Sequence, residues 1–335
     1  MLPHADPTCD TLGLGGVYRD PVWRVEVRLS PVERDLLGEW PLRRLAFFAH
    51  AGAAAITTVQ TYSRLEHSLG VLALTAHFLP DDDLARVAAL LHDVGHLPLS
   101  HTLEGLHGLD HHVLGAERVR ALAPLLTAHG VDVDHLVAVV SGHQPSALSN
   151  DDGVLTLDHL DSFIRSAHAR GYTAEPPPAT LTRLRLTQGK VDTDMAAAGE
   201  LARLVVDEAR RHCSTANMLA VGAVRWLVER ATGGWTTTQV AALAQLTDDE
   251  LWTLLLTSPT TAAAATSLRR DPAAWQLHQT PPERGPSAPI AVRRLYVTQP
   301  LVDGAPAQNL LNPAALPKVP THRHVNPPDG VDLDR

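Results

Sequence analysis

The sequence LLHDVGHLPLSHTLE occupies residues 90–104 and decides both the fold and the chemistry of the chain. An apolar helix is expected to reach His92 and Asp93 at its C-terminal end. Gly95 is expected to end that helix, and Pro98 prevents a simple continuation. Three histidines, one aspartate and one glutamate lie within the last thirteen of these residues. Burying so many polar groups without partners would be costly, so the stretch predicts a functional cluster.

Two flanking stretches complete an ordered H…HD…D set with His92 and Asp93. SRLEHSLGV supplies His67, and LDHLDSFIR supplies Asp158. Neutral imidazole together with carboxylate suits a divalent cation of borderline hardness. Such a cation polarises a phosphoryl oxygen and lowers the pKa of a bound water. The set predicts one divalent metal ion, with Mn, Fe, Mg, Zn, Ni and Co not distinguishable, and metal-assisted hydrolysis of a phosphate ester.

Further titratable side chains of the same stretch point toward this set. His96 follows His92 by four residues, so it projects toward the same region if the helical turn persists. His101 and Glu104 are three residues apart and are expected to share one face of the next helix. A lone buried histidine is usually a satisfied core residue, but the density of polar groups here favours a catalytic cluster.

Two other side chains lie one helical turn from predicted ligands. Arg64 precedes His67 by three residues, and an arginine suits a phosphate oxygen because it binds bidentately and does not titrate. The simpler alternative is a surface arginine paired with Glu66. Asp161 follows Asp158 by three residues, and by itself this pair is typical of helix capping or a solvated face.

The composition excludes several classes of protein. The 335 residues carry a formal charge of −9 and no Lys/Arg cluster, which argues against binding to nucleic acid. Cys9 and Cys213 form no CxxC pair, so a thiolate zinc site is excluded and a reducing cytosol fits. No apolar run reaches about 18 residues, the length of a membrane span. We therefore expect a cytoplasmic protein that contacts neither membrane nor nucleic acid.

The chain divides into four predicted segments. Residues 1–16 are expected to form an N-terminal tail, and 17–171 a helical unit that begins with a β-hairpin in VYRDPVWRVEVRLS. Residues 172–302 are expected to form a helical lobe packed on this unit, because its helices are apolar on one face. The Pro-rich segment 303–335 is predicted to be extended or disordered. The fold class is mainly α, with a packed helical second lobe and minor β-hairpins.

Five stretches together resemble the HD-domain phosphohydrolases in order and spacing. They are DPVWRVEVRL, RRLAFFAHAG, YSRLEHSLGV, LLHDVGHLPLSHTLE and LDHLDSFIRSAHARG. The nearest branch is similar to the SAM-and-HD-domain proteins and the bacterial deoxynucleoside triphosphate triphosphohydrolases. The resemblance is good over residues 17–171 and loose over 190–300. It implies an HD-domain helical core, one metal ion, a small-molecule nucleotide substrate and a homo-oligomer.

The resemblance also implies roles for individual residues. The family's metal ligands correspond to His67, His92, Asp93 and Asp158. Its catalytic histidines and the acid beside them correspond to His96, His101, Glu104 and His112, the last through HHVLGA. Arg64 corresponds to a phosphate contact. In this branch the reaction releases intact triphosphate from a deoxynucleoside triphosphate.

The nucleoside end departs from the family pattern. His50 stands where the family has a glutamine that senses the sugar, and Ser162 and Ser166 replace a tyrosine and an aspartate. The later helix offers Arg210 or Arg211 in ARRHCSTAN, but no tyrosine. The predicted substrate contacts are Arg64, His50, Asp161, Ser162 and Arg210, in a pocket that differs from that of the family.

The sequence thus predicts a metal-dependent phosphohydrolase acting on nucleotides, a (deoxy)nucleoside triphosphate triphosphohydrolase. One alternative, motivated by the altered pocket, is a phosphomonoesterase or phosphodiesterase on another small phosphorylated metabolite. The phosphate product, triphosphate or orthophosphate, separates the two. A second alternative is a non-catalytic nucleotide-sensing HD module, which would keep the metal set without acid-base histidines.

Overall fold

Helices dominate the chain, and the predicted mainly α fold is confirmed. The computed structural model describes residues 13–150, 152–283, 285–307 and 310–328. Over these ranges the α-helices are α1 (Pro31–Gly38), α2 (Trp40–Arg43), α3 (Arg64–Phe78), α4 (Asp83–Leu91), α5 (His111–Ala121), α6 (Ala123–Ala128), α7 (Val133–Val140), α8 (Leu157–Ala169), α9 (Pro177–Leu181), α10 (Met195–His212), α11 (Thr215–Ala231), α12 (Thr237–Leu243), α13 (Asp248–Thr257) and α14 (Ala262–Arg270). None of them is long and apolar enough to cross a membrane.

Short strands form three small sheets among the described residues. The strands are β1 (Val17–Arg19), β2 (Glu26–Arg28), β3 (Arg185–Thr187), β4 (Lys190–Thr193), β5 (Gln276–His278), β6 (Ala288–Val292), β7 (Leu301–Val302), β8 (Ala305–Pro306) and β9 (Thr321–Asn326). β1 and β2 pair antiparallel with Tyr18 opposite Val27, which is the predicted hairpin. The other sheets have the strand orders β3-β4-β7-β8 and β5-β9-β6.

The C-terminal segment differs from its prediction as a tail. β9 lies between β5 and β6 and pairs antiparallel with both. Its Val325 is buried against Gly222 of α11, whose missing side chain leaves room for it. THRHVN contains one apolar residue, so the hydrophobic pattern gave little sign of a central strand. At the other end, residues 1–12 of the predicted N-terminal tail lie outside the described residues.

Helix α3 is the central element of the site. It begins with a capping box in which Ser63 and Glu66 bond each other's backbone N–H groups. Residues on all of its faces are buried, as is typical of a helix inside a core. α4 and α8 pack directly against it. This packing brings together His67 on α3, the residues that follow α4, and the first turn of α8.

The buried apolar residues form two cores that meet at the site. The first extends from the β1–β2 hairpin to α10, so α10 belongs with the first unit although the predicted boundary lay at residue 172. The second contains α11 to α14 and the sheet around β9. It also takes in Leu97, Leu99 and Leu103 from the loop after α4. The second lobe therefore packs on the loop that carries His96 and His101.

Candidate metal centre and the adjoining histidine cluster

Four ligand atoms from three elements converge beside α3. His67 Nε2 lies 3.0 Å from Asp158 Oδ1, 3.3 Å from His92 Nε2 and 3.7 Å from Asp93 Oδ2. His92 Nε2 lies 3.6 Å from Asp93 Oδ2 and 3.7 Å from Asp158 Oδ1. Donor atoms bound about 2.0–2.2 Å from one cation have separations of this size. The structure thus places donor atoms of His67, His92 and Asp158 within 4.8 Å of one another, a set that fits a divalent metal ion. Asp93 Oδ2 adjoins this set through the two imidazoles, at 3.7 and 3.6 Å.

The orientation of His67 fits a metal ligand as well. Its Nδ1 lies 2.8 Å from Asp161 Oδ2, so Nδ1 donates to this carboxylate and Nε2 faces the other ligands. A carboxylate behind a ligating histidine fixes its tautomer and ring orientation. Asp161 is 0% exposed, so it is a positioning residue behind His67 and not the substrate contact that the sequence predicted.

A buried network holds Asp161 in turn. Trp23 Nε1 donates to Asp161 over 2.6 Å, and Arg165 donates to both of its oxygens over 2.8 and 2.9 Å. Arg165 also donates to Asp20 over 2.8 Å. A side chain on Gly70 of α3 would collide with the Asp161–Arg165 pair. The sequence analysis missed Asp20, Trp23 and Arg165, because only the fold brings the hairpin against α8.

The local charges suit metal binding. Burial alone would lower the pKa of His67, but its hydrogen bonds to Asp158 and Asp161 raise it to about 9. Burial opposes ionisation of Asp158, yet His67 and His92 hold the pKa of this carboxyl well below its usual value. In the metal-free protein His67 therefore carries a proton, and its positive charge balances the carboxylates in the absence of the cation.

Arg64 lies beside the metal site and not on the surface. It is 4% exposed and donates from Nη1 to Asp93 Oδ2 over 2.7 Å and from Nε to Ser100 Oγ over 3.0 Å. The alternative pairing with Glu66 does not occur, since that carboxylate caps α3. Arg64 is therefore a buried cation in contact with a ligand carboxylate.

A second cluster of three imidazoles adjoins the first. Ring nitrogens of His96, His101 and His111 all lie within 4.8 Å of one another. His96 stacks on His111 with ring centroids 4.6 Å apart, and His101 meets both rings edge-on. Glu104 Oε2 lies 2.8 Å from His111 Nδ1, so this acid supports His111 and not His101.

The structure places His111 where the sequence analysis placed His112. Asp110 caps α5 by accepting from the N–H groups of His112 and Val113, which sets the phase of the first turn. That phase directs His111 into the cluster and leaves His112 exposed behind it. Adjacent helix residues point about 100° apart, so a helix that began one residue later would turn His112 into the cluster and His111 out of it.

His96 links the two clusters through Asp93. Its Nε2 lies 3.0 Å from Asp93 Oδ1, while Asp93 Oδ2 belongs to the metal site. Burial lowers the pKa of His96 to about 3, so the ring is neutral near pH 7. Nδ1 is buried and has no hydrogen-bond partner among the described residues. It is a free acceptor for a water or a substrate hydroxyl.

Two buried arginines, which the sequence did not indicate, donate hydrogen bonds to the backbone of the turn around His96. Arg44 donates to the backbone oxygen of His96 over 3.1 Å, and Arg118 donates to that of Val94 over 2.6 Å. Both also donate to the backbone oxygen of Ala244 in the second lobe. The second lobe is thus tied directly to the histidine cluster.

The remaining predicted substrate contacts are scattered. His50 packs against His67 with ring centroids 4.7 Å apart, and Tyr62 Oη lies 3.1 Å from its Nδ1. Ser162 is partly buried on α8. Arg210 is exposed and donates to the Ala315 backbone oxygen over 3.0 Å, so it does not enter the site. The sequence around His50, Ser162 and Arg210 has no pattern that distinguishes a side chain facing the site from one facing solvent.

The pocket expected around Ser166 is closed by side chains. Gln60 bonds both Ser166 and Arg211, and Ser166 donates to Glu208 over 2.9 Å. Ser166 is buried. The replacement of a carboxylate by this serine therefore leaves no open cavity at this position.

The geometry agrees with comparisons of the sequence. Residues 64–169 match the family model of the HD domain, a range that contains all four ligands. An uncharacterised protein of Methanocaldococcus jannaschii is 32% identical over 109 residues, which is 31% of this chain. The uncharacterised protein YwfO of Bacillus subtilis is 31% identical over 176 residues, which is 46% of this chain. These matches span 24% and 40% of the two relatives.

Solved structures share the fold at greater length. A phosphohydrolase from Bacteroides thetaiotaomicron has a TM-score of 0.67 and 15% identity, covering 92% of this chain and 98% of its own. A hypothetical protein from Aquifex aeolicus has a TM-score of 0.67 and 18% identity, covering 92% and 95%. At these identities the likeness concerns the fold. The likeness to the HD-domain family model covers residues 64–169, the range that contains α3, the turn after α4 and α8.

Proposed function

We propose that the chain is a metal-dependent phosphohydrolase that acts on nucleotides. The single observation that carries this proposal is the position of Asp93. One of its oxygens belongs to the four-atom metal site, and the other lies 3.0 Å from His96 in the imidazole cluster. A phosphate ester placed between the two would meet a cation at one end and the imidazole cluster at the other. The HD domain and the fold shared with a phosphohydrolase support the same chemistry.

The metal ion would be held by His67, His92, Asp93 and Asp158. When bound, it supplies positive charge to the phosphoryl oxygens and acidifies water. Asp161 keeps His67 Nε2 directed at the ion through the 2.8 Å bond to Nδ1. Arg64 stands 2.7 Å from Asp93, where it can turn from this carboxylate to a phosphate oxygen.

The imidazole cluster would move the proton. His101 is the ring most open to solvent, so we assign to it the protonation of the leaving oxygen. Burial and the charges of His96 and Arg64 hold the pKa of the free ring well below its usual value, so His101 takes up the proton when the negative charge of a bound phosphate raises that pKa. His96 is held neutral by burial, and its free Nδ1 accepts a hydrogen bond from the attacking water or the substrate. His111, oriented by Glu104, takes the role that the sequence analysis gave to His112. Proton transfer of this kind is typically worth roughly 10²–10⁴-fold in rate.

The finer proposal is hydrolysis of (deoxy)nucleoside triphosphates with release of triphosphate. It rests on the resemblance of the motifs around His67 and His96 to that branch. The altered nucleoside positions keep the alternative of a phosphomonoesterase or phosphodiesterase open. His50 lies against His67 and Tyr62, so it supports a ligand in addition to any contact with a sugar.

The test is to load the protein with single divalent metals and to incubate it with paired ribo- and deoxynucleotides. Release of tripolyphosphate from a triphosphate supports the finer proposal, whereas orthophosphate supports the alternative. Asp93→Ala should lose bound metal and turnover together, since Asp93 belongs to both clusters. Exposed Asp35, which pairs with His129 on the surface, offers the matched control Asp35→Ala. Absence of turnover with every metal and every nucleotide would refute the proposed function.

A further inference from the structure

Tyr296 lies at the edge of the imidazole cluster, although its segment is distant in sequence from the motifs. Its ring centroid is 6.3 Å from that of His101, 5.8 Å from that of His159 and 6.2 Å from that of His212. His159 directly follows the ligand Asp158, and His212 ends α10. Rings from α8, α10 and the loop after α4 therefore surround one tyrosine.

The backbone on both sides of Tyr296 is fixed. On one side, β6 pairs with β9 in the second lobe. On the other, Gln299 N donates to Gly153 O over 3.1 Å and Gln299 O accepts from Leu155 N over 2.9 Å. Leu155 lies two residues before α8, which carries Asp158. Tyr296 is thus held in register with the helix that supplies a metal ligand.

One part of the Tyr296 ring has no protein cover. The residue is 41% exposed, and its hydroxyl makes no hydrogen bond within the described part of the chain. Burial of the remainder raises the pKa of the phenol; Arg294 and Arg64 lower it, and Glu104 and Asp158 raise it. The phenol therefore lies close enough to both clusters for their charges to act on it. The Arg294 guanidinium lies over the ring, 5.9 Å from its centroid, and the part of the ring that stays exposed lies beside both clusters.

We propose that Tyr296 is a specificity-determining residue that stacks on the base of the substrate nucleotide. This inference rests on the proposed function. If His101 protonates the leaving oxygen, the group attached to that oxygen must lie next to His101, and Tyr296 is the open ring there. Base–aromatic stacking accepts any base, because every base has a π face.

The experiment compares metal-loaded parent, Tyr296→Ala and Tyr296→Phe on two classes of substrate. The nucleotides are deoxyadenosine and thymidine triphosphate, and methyl triphosphate is the matched substrate without a ring. Tyr296→Ala should raise KM for both nucleotides about 5- to 100-fold, the range of base stacking, and leave kcat/KM for methyl triphosphate unchanged. Tyr296→Phe keeps the ring and should behave as the parent. Tyr172→Ala, at a tyrosine that is 55% exposed outside the site, is the control.

Binding of deoxyadenosine triphosphate, measured by calorimetry in a His101→Ala background, gives a readout that does not depend on turnover. Tyr296→Ala should weaken that binding by the same factor. Parent turnover of nucleotides with an unchanged KM in Tyr296→Ala overturns the inference and leaves the proposed function intact. So does an equal loss in Tyr296→Phe, which would assign the effect to the hydroxyl. Failure of the parent to bind or hydrolyse either nucleotide overturns both.

Discussion

Asp158 and Asp161, one turn apart on α8, meet opposite nitrogens of the same imidazole. Asp158 Oδ1 lies 3.0 Å from His67 Nε2, and Asp161 Oδ2 lies 2.8 Å from Nδ1. One carboxylate is thus placed to bind the cation and the other to aim the ligand. The difference lies in burial, since Asp161 is enclosed by Trp23 and Arg165.

We expect Asp161→Asn to weaken metal affinity about 10- to 100-fold, the usual cost of removing a carboxylate behind a ligating histidine. Saturating metal should restore most of kcat and leave KM for substrate unchanged, because Asp161 does not reach the substrate. Metal titrations followed by kinetics at saturation provide the measurement. A raised KM with unchanged metal affinity would instead return Asp161 to the role of a substrate contact.

Protonation of His67 should make the metal-free protein sensitive to pH. Its pKa is raised from 6.5 to about 9 in the folded protein, so its contribution to stability is fully present below pH 6.5 and is lost as pH rises through about 9. The loss amounts to about 3 kcal/mol of unfolding free energy. Urea unfolding of metal-free protein at several pH values measures it.

Metal uptake provides the complementary measurement for His67. Because the cation needs the Nε2 lone pair, binding below pH 9 should release about one proton from His67, which a pH-stat records on addition of Mn²⁺. His92 adds to this release, because burial alone would lower its pKa but Asp93 and Asp158 raise it. Release should fade above pH 9, where the His67 ring is already neutral. Metal binding without proton release at pH 7 would show that the ring is neutral in the metal-free protein.

At this scale the sequence predicted residue types better than residue positions. The four predicted ligands come from the spacing of H…HD…D, because ligand chemistry restricts which side chains can serve. His111 and His112 are adjacent and chemically identical, so only the phase of α5, set by the Asp110 cap, separates them. Arg210 and Arg211 present the same problem on α10, where Arg211 is the one that points inward.

Among the elements, α5 is positioned by two glycines in close contact. A side chain on Gly95 would collide with the backbone oxygen of His111 and with the backbone of Gly115. The sequence analysis gave Gly95 the role of ending a helix, but α4 already ends at Leu91. Its missing side chain instead allows α5 to approach until His111 stacks on His96.

We expect Gly95→Ala to impair the imidazole cluster and to leave the metal site in place. The added methyl group must push α5 outward, which removes His111 from His96 and lowers kcat, while the ligand set on α3 and α8 remains. The strain should cost about 1–3 kcal/mol of stability, measured by thermal unfolding alongside metal content. Gly199 of α10 has open space around its Cα, so Gly199→Ala is the control and should be neutral or slightly stabilising. Parent-like kcat in Gly95→Ala would refute the packing argument.

Helices with a strong hydrophobic periodicity could be predicted from the sequence, and strands that form by pairing with distant parts of the chain could not. α3 and α8 follow from capping residues and apolar spacing around SRLEHSLGV and LDHLDSFIR. β6 is short, because the chain leaves the sheet after Val292. β9 depends on partners about 29 to 50 residues away and carries almost no local signal.

At the scale of the whole molecule, the Asp248 side chain links the second lobe to two segments beside the site, one at Ala49 and one at Leu99. It opens α13 and accepts from Leu99 N over 2.6 Å and from Ala49 N over 2.8 Å. Leu99 and Ser100 both have positive φ angles, of 54° and 56°, a conformation that costs free energy in residues with side chains. The carboxylate therefore helps to hold the strained turn from which Ser100 meets Arg64.

The ionisation of Asp248 should give the coupling between the lobes a measurable pH dependence. Burial raises the pKa of this carboxyl from 3.8 to about 6, although the two backbone N–H groups oppose the change. The folded protein then binds the proton more tightly than the unfolded chain, so unfolding free energy should fall by about 3 kcal/mol as pH rises from about 4 to 6. Asp248→Asn removes this proton, and the stability difference between parent and variant should follow the same curve and become flat above pH 6. Asp134→Asn, which removes an exposed charge from α7, is the control. A parent–variant difference that does not change between pH 4 and 6 would show that Asp248 is already ionised at pH 4 in the folded protein, held by the N–H groups of Ala49 and Leu99.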